Sequence, residues 1–258
     1  MTRYLDTRLR ALTFDLDDTL WDNQGVMART EEAHYAWLDE QLADWLAHHD
    51  GECRRFSAAM PIERYQAHRQ HLAKAHPLRR GDFTWIRERA LVDLLEAFGL
   101  SRASAWLWAS RTMARFHALR LEVSPYPETE PMLETLAQRF RLGAITNGNL
   151  AFHRLALSRH FDVVIAAGEM PAPKPDARPF LATLSRLGAT PAQALHVGDS
   201  WQEDILPALR LGMQAAWIAP HAPADTPMPA GTYRLEHVRE LPDLLEWMER
   251  EQDIATGD

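Results

Sequence analysis

The sequence predicts an α/β protein in which helices cover both faces of a parallel sheet and a separate helical segment is inserted. Short apolar runs alternate with helical patterns through the C-terminal half of the chain, and this alternation is typical of parallel sheets. One further apolar run lies near the N-terminus, followed by about a hundred residues of helical pattern. We therefore expect the first run to join the later strands across a helical insertion.

The first predicted strand is ALTFD, which ends at Asp15. The block that follows is predicted to be helical, because apolar residues recur in it at intervals of three and four. The clearest sets are Leu38, Leu42, Trp45 and Leu46; Ile86, Ala90, Leu94 and Phe98; and Ala105, Ala109, Met113 and Phe116. A helical bundle is the simplest way to bury such faces.

Prolines and changes of pattern indicate the domain boundaries. Pro61 and Pro77 interrupt the helical block as turns or caps, and no convincing strand lies within it. We predict a core domain of residues 1–22 and 123–258 and a helical cap domain of residues 23–122. The cap is expected beside the carboxyl ends of the strands, where ligands bind in open α/β sheets.

The remaining predicted strands are RLGAIT, FDVVIAA, ALHVG and QAAWIA. Helices are expected over PMLETLAQRF, near residues 150–160, 178–187 and 203–211, and over LPDLLEWMERE. Residues 219–231 are rich in proline and are predicted to form an irregular loop. Parallel strands joined in this way bring all their carboxyl ends to one edge of the sheet.

Composition narrows the possible classes of function. The 258 residues are 46% apolar and carry a net charge of −8, whereas nucleic-acid backbones select clustered lysine and arginine. The chain has no apolar run of about 18 residues and no apolar signal segment at its N-terminus. A single cysteine, Cys53, cannot form an internal disulfide. We expect a cytoplasmic monomer or homodimer without a nucleic-acid or membrane partner.

Acidic residues cluster where the first strand ends. ALTFDLDDTL places Asp15, Asp17 and Asp18 directly after a buried apolar run. An acid-capped helix start would explain them, since Asp and Thr are good N-cap residues. However, burying an unpaired carboxylate costs several kcal/mol, which a cation or a catalytic role would have to offset. We interpret Asp15 and Asp17 as an active-site pair and Asp18 as a turn or helix-start residue.

Polar residues also follow later strand ends. RLGAIT ends in Thr146, with Asn147 next; Lys174 lies between two prolines in PAPKPD; and Asp199 follows ALHVG. Singly, these residues fit a turn, a solvated lysine and a helix start. Together with Asp15 they would meet at one edge of the sheet.

These residue types suit phosphate chemistry. A phosphomonoester dianion can approach Asp15 only if cations offset the repulsion between the two. Asp15 and Asp199, with the backbone carbonyl of Asp17, offer hard oxygen ligands that suit Mg²⁺. Lys174 would add a positive charge, and the Thr146 hydroxyl would hold phosphoryl oxygens.

The motifs DLDDTL, ITNG, KP and GDSWQED occur in the order found in the haloacid dehalogenase-like (HAD) superfamily. The chain resembles that superfamily over nearly its whole length. The resemblance implies a Rossmann-like core, with Asp15 as nucleophile and Asp17 as general acid and then base. It also implies that Thr146 and Lys174 bind phosphate, and we add Asn147 from the same ITNG motif.

The resemblance further implies a metal centre. Asp15, Asp17 and Asp199 would ligate Mg²⁺. Asp204, the second acid of GDSWQED, would orient metal-bound water or pair with Lys174.

Asp17 separates two branches of the superfamily. Its hydrolytic dehalogenases lack an acid two residues after the nucleophile, whereas phosphate-transferring members have one, because an alcohol leaving group needs a proton. The resemblance therefore implies a phosphatase acting on a small phosphorylated metabolite. A narrower similarity, carried by ALTFDLDDTLWDN, AITNGN, LHVGDS and GMQAAWI, is to bacterial flavin-pathway phosphatases, which act on 5-amino-6-(5-phospho-D-ribitylamino)uracil and FMN.

Three other functions fit parts of the pattern. A phosphomutase of the same superfamily would pass the phosphoryl group to a sugar. A GDS-type esterase would use Ser200 as nucleophile, but it leaves DLDDTL and Lys174 unexplained. A metal-binding module would have the same fold but would catalyse no reaction.

Overall fold

The computed structural model describes residues 8–49, 51, 54–166, 172–223 and 225–256; Cys53 lies outside them. The strands are β1 (Ala11–Phe14), β2 (Arg141–Thr146), β3 (Val163–Ala166), β4 (Ala194–Gly198), β5 (Gln214–Ile218) and β6 (Thr232–Leu235). They form one parallel sheet in the order β3-β2-β1-β4-β5-β6. The predicted α/β class is thereby confirmed.

Helices connect the strands. They are α1 (Asn23–His49), α2 (Phe56–Ala59), α3 (Ile62–Ala75), α4 (Phe83–Phe98), α5 (Arg102–Arg120), α6 (Thr129–Ala137), α7 (Ala177–Leu187), α8 (Leu206–Arg210) and α9 (Leu241–Thr256). In this described part of the chain, no helix combines the length and the apolar character needed to cross a bilayer.

Strand β1 lies at the centre of the sheet, between β2 and β4. Phe14 pairs with Ala144 on β2 and with Val197 on β4, and all four residues of β1 are buried. The Asp15 N–H donates to the Val197 carbonyl at 2.8 Å. The chain therefore delivers Asp15 to the carboxyl edge of the sheet, between the ends of its two neighbouring strands.

Helices α1 to α5 form a block with an apolar cluster of its own, which includes Leu38, Leu91, Leu95 and Phe116. Two other apolar clusters belong to the sheet and its covering helices. Asp82 caps α4 by accepting from the Trp85 N–H, and Ser101 caps α5 in the same manner. The helical insertion is thus present, and its division from the core at residues 22 and 122 stays a prediction.

The structure differs from the prediction at two places. Strand β6 was not predicted, because its TYRL sequence lies half-buried at the sheet edge and lacks an apolar run. The helix expected near 150–160 is replaced by two short 3-10 turns, Phe152–Arg154 and Ala156–His160. Phe152 and Leu157 reach the sheet's apolar cluster from these turns, so burial is achieved without an α-helix.

A buried histidine lies within the helical block. His34 has no exposed surface, and its Nδ1 lies 2.7 Å from the Thr30 carbonyl oxygen. A carbonyl only accepts hydrogen bonds, so Nδ1 carries the proton. Nε2 is buried without a partner among the described residues. Burial lowers the pKa of His34 to about 4, and the ring is neutral near pH 7.

Acidification should weaken folding through His34. In the unfolded chain an imidazole takes up its proton near pH 6.5, whereas folded His34 resists protonation until about pH 4. Its stabilising contribution is complete above pH 6.5 and is lost as the pH falls from 6.5 towards 4. Between about pH 7.5 and about pH 5, linkage predicts a loss of about 2 kcal/mol from this group. Urea unfolding of the wild type and H34Q at several pH values tests this. An equal pH dependence of the unfolding free energy in both proteins would contradict it.

Candidate active site

One cleft of about 350 Å³ opens at the carboxyl edge of the sheet. The strand ends supply one wall and the helical block supplies the other. The residues predicted from the sequence all line it: Asp15, Asp17, Thr146, Asn147, Lys174, Asp199 and Asp204. Residues separated by almost the whole chain therefore meet, because the ends of β1, β2 and β4 are neighbours in the sheet.

A buried lysine joins two carboxylates at the centre of the cleft. Lys174 Nζ donates to Asp15 Oδ1 at 2.5 Å and to Asp204 Oδ1 at 2.6 Å. Burial alone would lower the pKa of Lys174, but the two carboxylates raise it above its ordinary value. Burial also favours protonation of Asp204, but Lys174 and His196 together outweigh this and hold that pKa well below its usual range. Lys174 and Asp204 are therefore an ion pair.

Asp15 is in a different electrostatic state from Asp204. Burial raises the pKa of Asp15, and Lys174 opposes that shift only in part. Its side chain is 9% exposed, and Lys174 holds Oδ1. A second cation beside Asp15 would favour the carboxylate form.

Asp204 is held by donors on both of its oxygens. Oδ2 accepts from the Ser200 N–H at 3.0 Å, and Oδ1 lies 3.3 Å from His196 Nε2 as well as near Lys174. A Cβ on Gly198 would lie 2.5 Å from Asp204 Cγ, so this approach requires glycine. Of the two roles predicted for Asp204, the structure shows the pair with Lys174; direct ligation of a metal stays open.

His196 extends the network into the sheet and was not predicted. It is fully buried on β4, and its Nδ1 lies 2.8 Å from Thr13 Oγ1 on β1. Burial lowers the pKa of His196, so a neutral ring links Thr13 to Asp204. The position within ALHVG resembles any buried strand residue, and no local pattern singles it out.

Three carboxylates are arranged so that they could hold a divalent cation. Oxygens of Asp15, Asp199 and Asp204 lie within 4.8 Å of one another. Burial first, and then the neighbouring acids Asp204 and Asp18, raise the pKa of Asp199 to about 6. Bringing a cation to this point would relieve the repulsion, and carboxylate oxygen is the donor that hard divalent cations prefer. The residues therefore fit such an ion.

Asp17 is held by an arginine from the helical block. Arg120 Nη2 donates to both Asp17 oxygens, at 3.1 and 3.0 Å, and Trp21 Nε1 donates to Oδ1 at 3.0 Å. Arg120 Nη1 donates to Asn23 Oδ1 at 2.8 Å. The Arg120 residue is 1% exposed, and it was not predicted because it lies 103 residues from Asp17.

Oδ2 of Asp17 faces the loop that follows β2. A Cβ on Gly148 would lie 2.8 Å from this oxygen, so only glycine allows the approach. Since Trp21 adds its hydrogen bond to Oδ1, Oδ2 is the less restrained of the two oxygens.

Asn147 organises the loop that carries Lys174. Its Oδ1 accepts from the Lys174 N–H at 2.8 Å, and its Nδ2 donates to the Lys174 carbonyl at 3.0 Å. Nδ2 also donates to Glu203 at 2.9 Å. Thr146 Oγ1 accepts from the Gly148 N–H at 2.9 Å. Contact between Asn147 and phosphate stays a prediction; the observed contacts show that it positions Lys174.

Asp18 makes the turn between β1 and α1. Its φ of +62° is left-handed, a conformation that Asp tolerates better than most residues. Its Oδ1 accepts from the Asn23 N–H at 2.9 Å, where α1 begins. This agrees with a turn or helix-start role.

The helical block also contacts the strand-end loops directly. Asn149 Nδ2 donates to Thr84 Oγ1 at 3.1 Å. A Cβ on Gly81 would lie 2.6 Å from Pro173 Cγ, next to Lys174. The two walls of the cleft are therefore in contact around its rim.

Known proteins are similar to this chain in sequence and in fold. Residues 9–212 match the haloacid dehalogenase-like hydrolase family. The 5-amino-6-(5-phospho-D-ribitylamino)uracil phosphatase YigB of Escherichia coli (strain K12) is 33% identical over 213 residues, or 83% of this chain and 84% of the relative. A 2-haloacid dehalogenase from Pseudomonas syringae pv. Tomato DC3000 superposes with a TM-score of 0.79 at 32% identity, covering 93% of this chain and 99% of that one. A HAD phosphatase from Thermococcus onnurineus has a TM-score of 0.61 at 26% identity, covering 92% and 98%.

Replacing Asp199 by Asn should weaken binding of a divalent cation. The change keeps the side chain's size but removes one charged oxygen ligand, so we expect a loss of at least about tenfold in affinity. Calorimetric titration of Mg²⁺ and Mn²⁺ into both proteins measures it. The matched control is D243N, an exposed acid on α9 outside the cleft. Equal affinity in D199N and the wild type would contradict the cation site.

Proposed function

Because the chain belongs to the haloacid dehalogenase-like hydrolases, we propose that it is a phosphatase that hydrolyses phosphomonoesters of small metabolites. The observation that carries the proposal is Asp17 beside Asp15 in a cleft that also holds Lys174. One carboxylate for attack, one for proton transfer and a buried cation are what phosphomonoester hydrolysis requires.

In this proposal Asp15 attacks the phosphorus atom. Lys174 holds Asp15 Oδ1, which leaves the second oxygen for the new P–O bond. As that bond forms, the bond from phosphorus to the leaving oxygen breaks, and Asp17 donates a proton to that oxygen. Asp17 then takes a proton from water that attacks the aspartyl phosphate, releasing inorganic phosphate and regenerating Asp15.

The cation site belongs to the same proposal. Asp15, Asp199 and the backbone carbonyl of Asp17 would hold Mg²⁺, with Asp204 behind them as the partner of Lys174. When bound, Mg²⁺ supplies positive charge against the substrate dianion and against charge on the phosphoryl oxygens. Lys174, the Thr146 hydroxyl and the backbone N–H groups after β2 would hold those oxygens.

Asp17 favours phosphate transfer over dehalogenation. The similar Pseudomonas syringae protein is a 2-haloacid dehalogenase, and a halide leaves without taking up a proton. An alkoxide needs one, and Asp17 is placed by Arg120 and Trp21 with Oδ2 towards the Gly148 loop. These contacts fix the position of Asp17, and the proposal assigns it the proton transfer at the leaving oxygen.

Neither of the other enzyme classes is better supported. Among the described residues, Ser200 Oγ accepts from the Glu203 N–H as a helix cap, and His196 bonds Thr13 and Asp204 instead of Ser200. An esterase would lack its base. A phosphomutase would share the first step, and phosphate release without an added sugar separates it from a phosphatase.

The substrate proposal extends to the flavin pathway. The Escherichia coli relative is a 5-amino-6-(5-phospho-D-ribitylamino)uracil phosphatase, which supports that compound or FMN as the substrate here. Residues 23–122 would act as a cap that covers the leaving group. A comparison of kcat/KM for both compounds, sugar phosphates and nucleotides tests this, and a flat profile would remove the flavin proposal.

Asp15→Asn should abolish phosphate release, since an amide cannot form the acyl phosphate. We expect kcat to fall by more than about a thousandfold. Acid quenching of the wild type during turnover of a ³²P-labelled substrate should leave label on the protein, whereas D15N should carry none. The control S200A should keep most activity. Substantial turnover by D15N, or loss in S200A with the fold intact, would refute the nucleophile.

Asp17→Asn and Arg120→Met should slow the first step, release of the alcohol, far more for alkyl phosphates than for p-nitrophenyl phosphate. The nitrophenolate is a weak base and leaves without a proton, so the first step needs Asp17 only for alkyl esters. The pre-steady-state burst of nitrophenol should persist in both variants while alcohol release falls. Steady-state turnover should fall for every ester, because Asp17 also takes the proton from the attacking water. An equal loss of the burst rate across leaving groups would show that Asp17 does not donate the proton.

A further inference from the structure

Arg87 lies in the wall that the helical block contributes to the cleft. Its side chain is 12% exposed, and its guanidinium lies over the Phe116 ring, with 4.7 Å between Cζ and the ring centroid. Burial lowers the pKa of Arg87, as expected for a desolvated cation. One face of the guanidinium is therefore packed against a ring, and the residue lines the cleft.

The hydrogen-bonding capacity of Arg87 is largely unused. Nη1 reaches the Phe83 carbonyl only at 3.5 Å, and Nη2 lies 3.5 Å from Glu31 Oε1. Nε is buried without a partner among the described residues. A guanidinium has five N–H donors, and strong bonds to charged oxygens are about 2.8 Å long.

Glu31 does not fully neutralise Arg87, because the Glu31 carboxylate is already paired with Arg69. Arg69 forms a two-pronged pair with it, at 2.5 Å to Oε1 and 3.1 Å to Oε2, and Gln66 donates to Oε2 at 3.3 Å. Two arginines therefore share one carboxylate, and the better geometry belongs to Arg69.

The surrounding groups leave that excess charge in place. His34 is neutral near pH 7, since burial lowers its pKa to about 4, and Tyr65 is neutral, since burial raises its pKa to about 12. Arg120 is matched by Asp17. One buried positive charge remains next to the cleft, and a buried charge without a partner is costly.

We propose that Arg87 binds the leaving group of the substrate through a pair of adjacent acceptor atoms; this rests on the proposed phosphatase function. The planar fork of Arg matches two acceptor atoms held side by side. Met27 and Phe83 line the same wall and offer apolar surface to the carbon skeleton between phosphate and Arg87. The cleft, about 350 Å³, is larger than a phosphate group needs.

Two kinds of leaving group carry such a pair. One is an aliphatic alcohol with a carboxylate, and the other is a ring in which a carbonyl oxygen lies next to an unprotonated ring nitrogen. Matched substrates distinguish them. Phosphoserine and phosphoethanolamine differ only in the carboxylate, while FMN and D-ribitol 5-phosphate differ in the ring.

The test measures kcat/KM for all four compounds with the wild type, R87M and R87K. The wild type should prefer the acceptor-bearing member of one pair, and R87M should lower kcat/KM for that member by roughly ten- to hundredfold. The kcat/KM for the other member should change little in R87M, so the preference is lost. R87K keeps the positive charge but lacks the planar fork, so it should retain part of the wild-type preference. Inhibition by inorganic phosphate, unchanged in the variants, shows that they are folded.

R115M is the matched control, because Arg115 is exposed on α5 and does not line the cleft. A wild type that hydrolyses all four compounds without preference would overturn the Arg87 proposal and leave the phosphatase standing. The Arg87 proposal would also be overturned if R87M kept the wild-type preference, or if R115M lost that preference to the same extent as R87M. A wild type that hydrolyses no phosphomonoester would overturn the proposed function itself.

Discussion

The hydrogen bonds that Lys174 donates to Asp15 and Asp204 hold the cleft together. The three side chains are 2%, 9% and 1% exposed, a degree of burial at which unpaired charges are not tolerated. Without the lysine, the clustered acids at the strand ends would repel one another or take up protons. Asn147 fixes the lysine in turn, by bonding both its backbone N–H and its carbonyl.

This network reaches from the cleft into the sheet. Asp204 is fixed by Lys174, by the Ser200 N–H and by His196, which bonds Thr13 on the adjacent strand. Its close packing against the backbone at Gly198 leaves no space for a side chain. The arrangement that stabilises the centre of the fold is therefore the same one that sets the charge on Asp15.

The helical block supplies the other half of the chemistry. Arg120 restrains the carboxylate proposed to move protons, and Arg87 carries unmatched charge towards the leaving group. The strand-end wall is acidic around Lys174, whereas this wall is basic. A phosphate ester with a polar far end would meet cations at both ends. The proposed proton transfer and the proposed recognition of the leaving group thus both depend on how this block packs.

Five of the six strands and the polar residues at their ends could be predicted from local sequence patterns, whereas the edge strand β6 could not. Asp15, Lys174 and Asp199 stand out because each breaks an apolar or proline-bounded pattern locally, and parallel strands must bring their ends together. The bond from Arg120 to Asp17 and the incomplete pairing of Arg87 become visible only in the folded chain. A sequence pattern records burial and turns over a few residues, whereas the pairing of charges 103 residues apart depends on which helices pack against which strands.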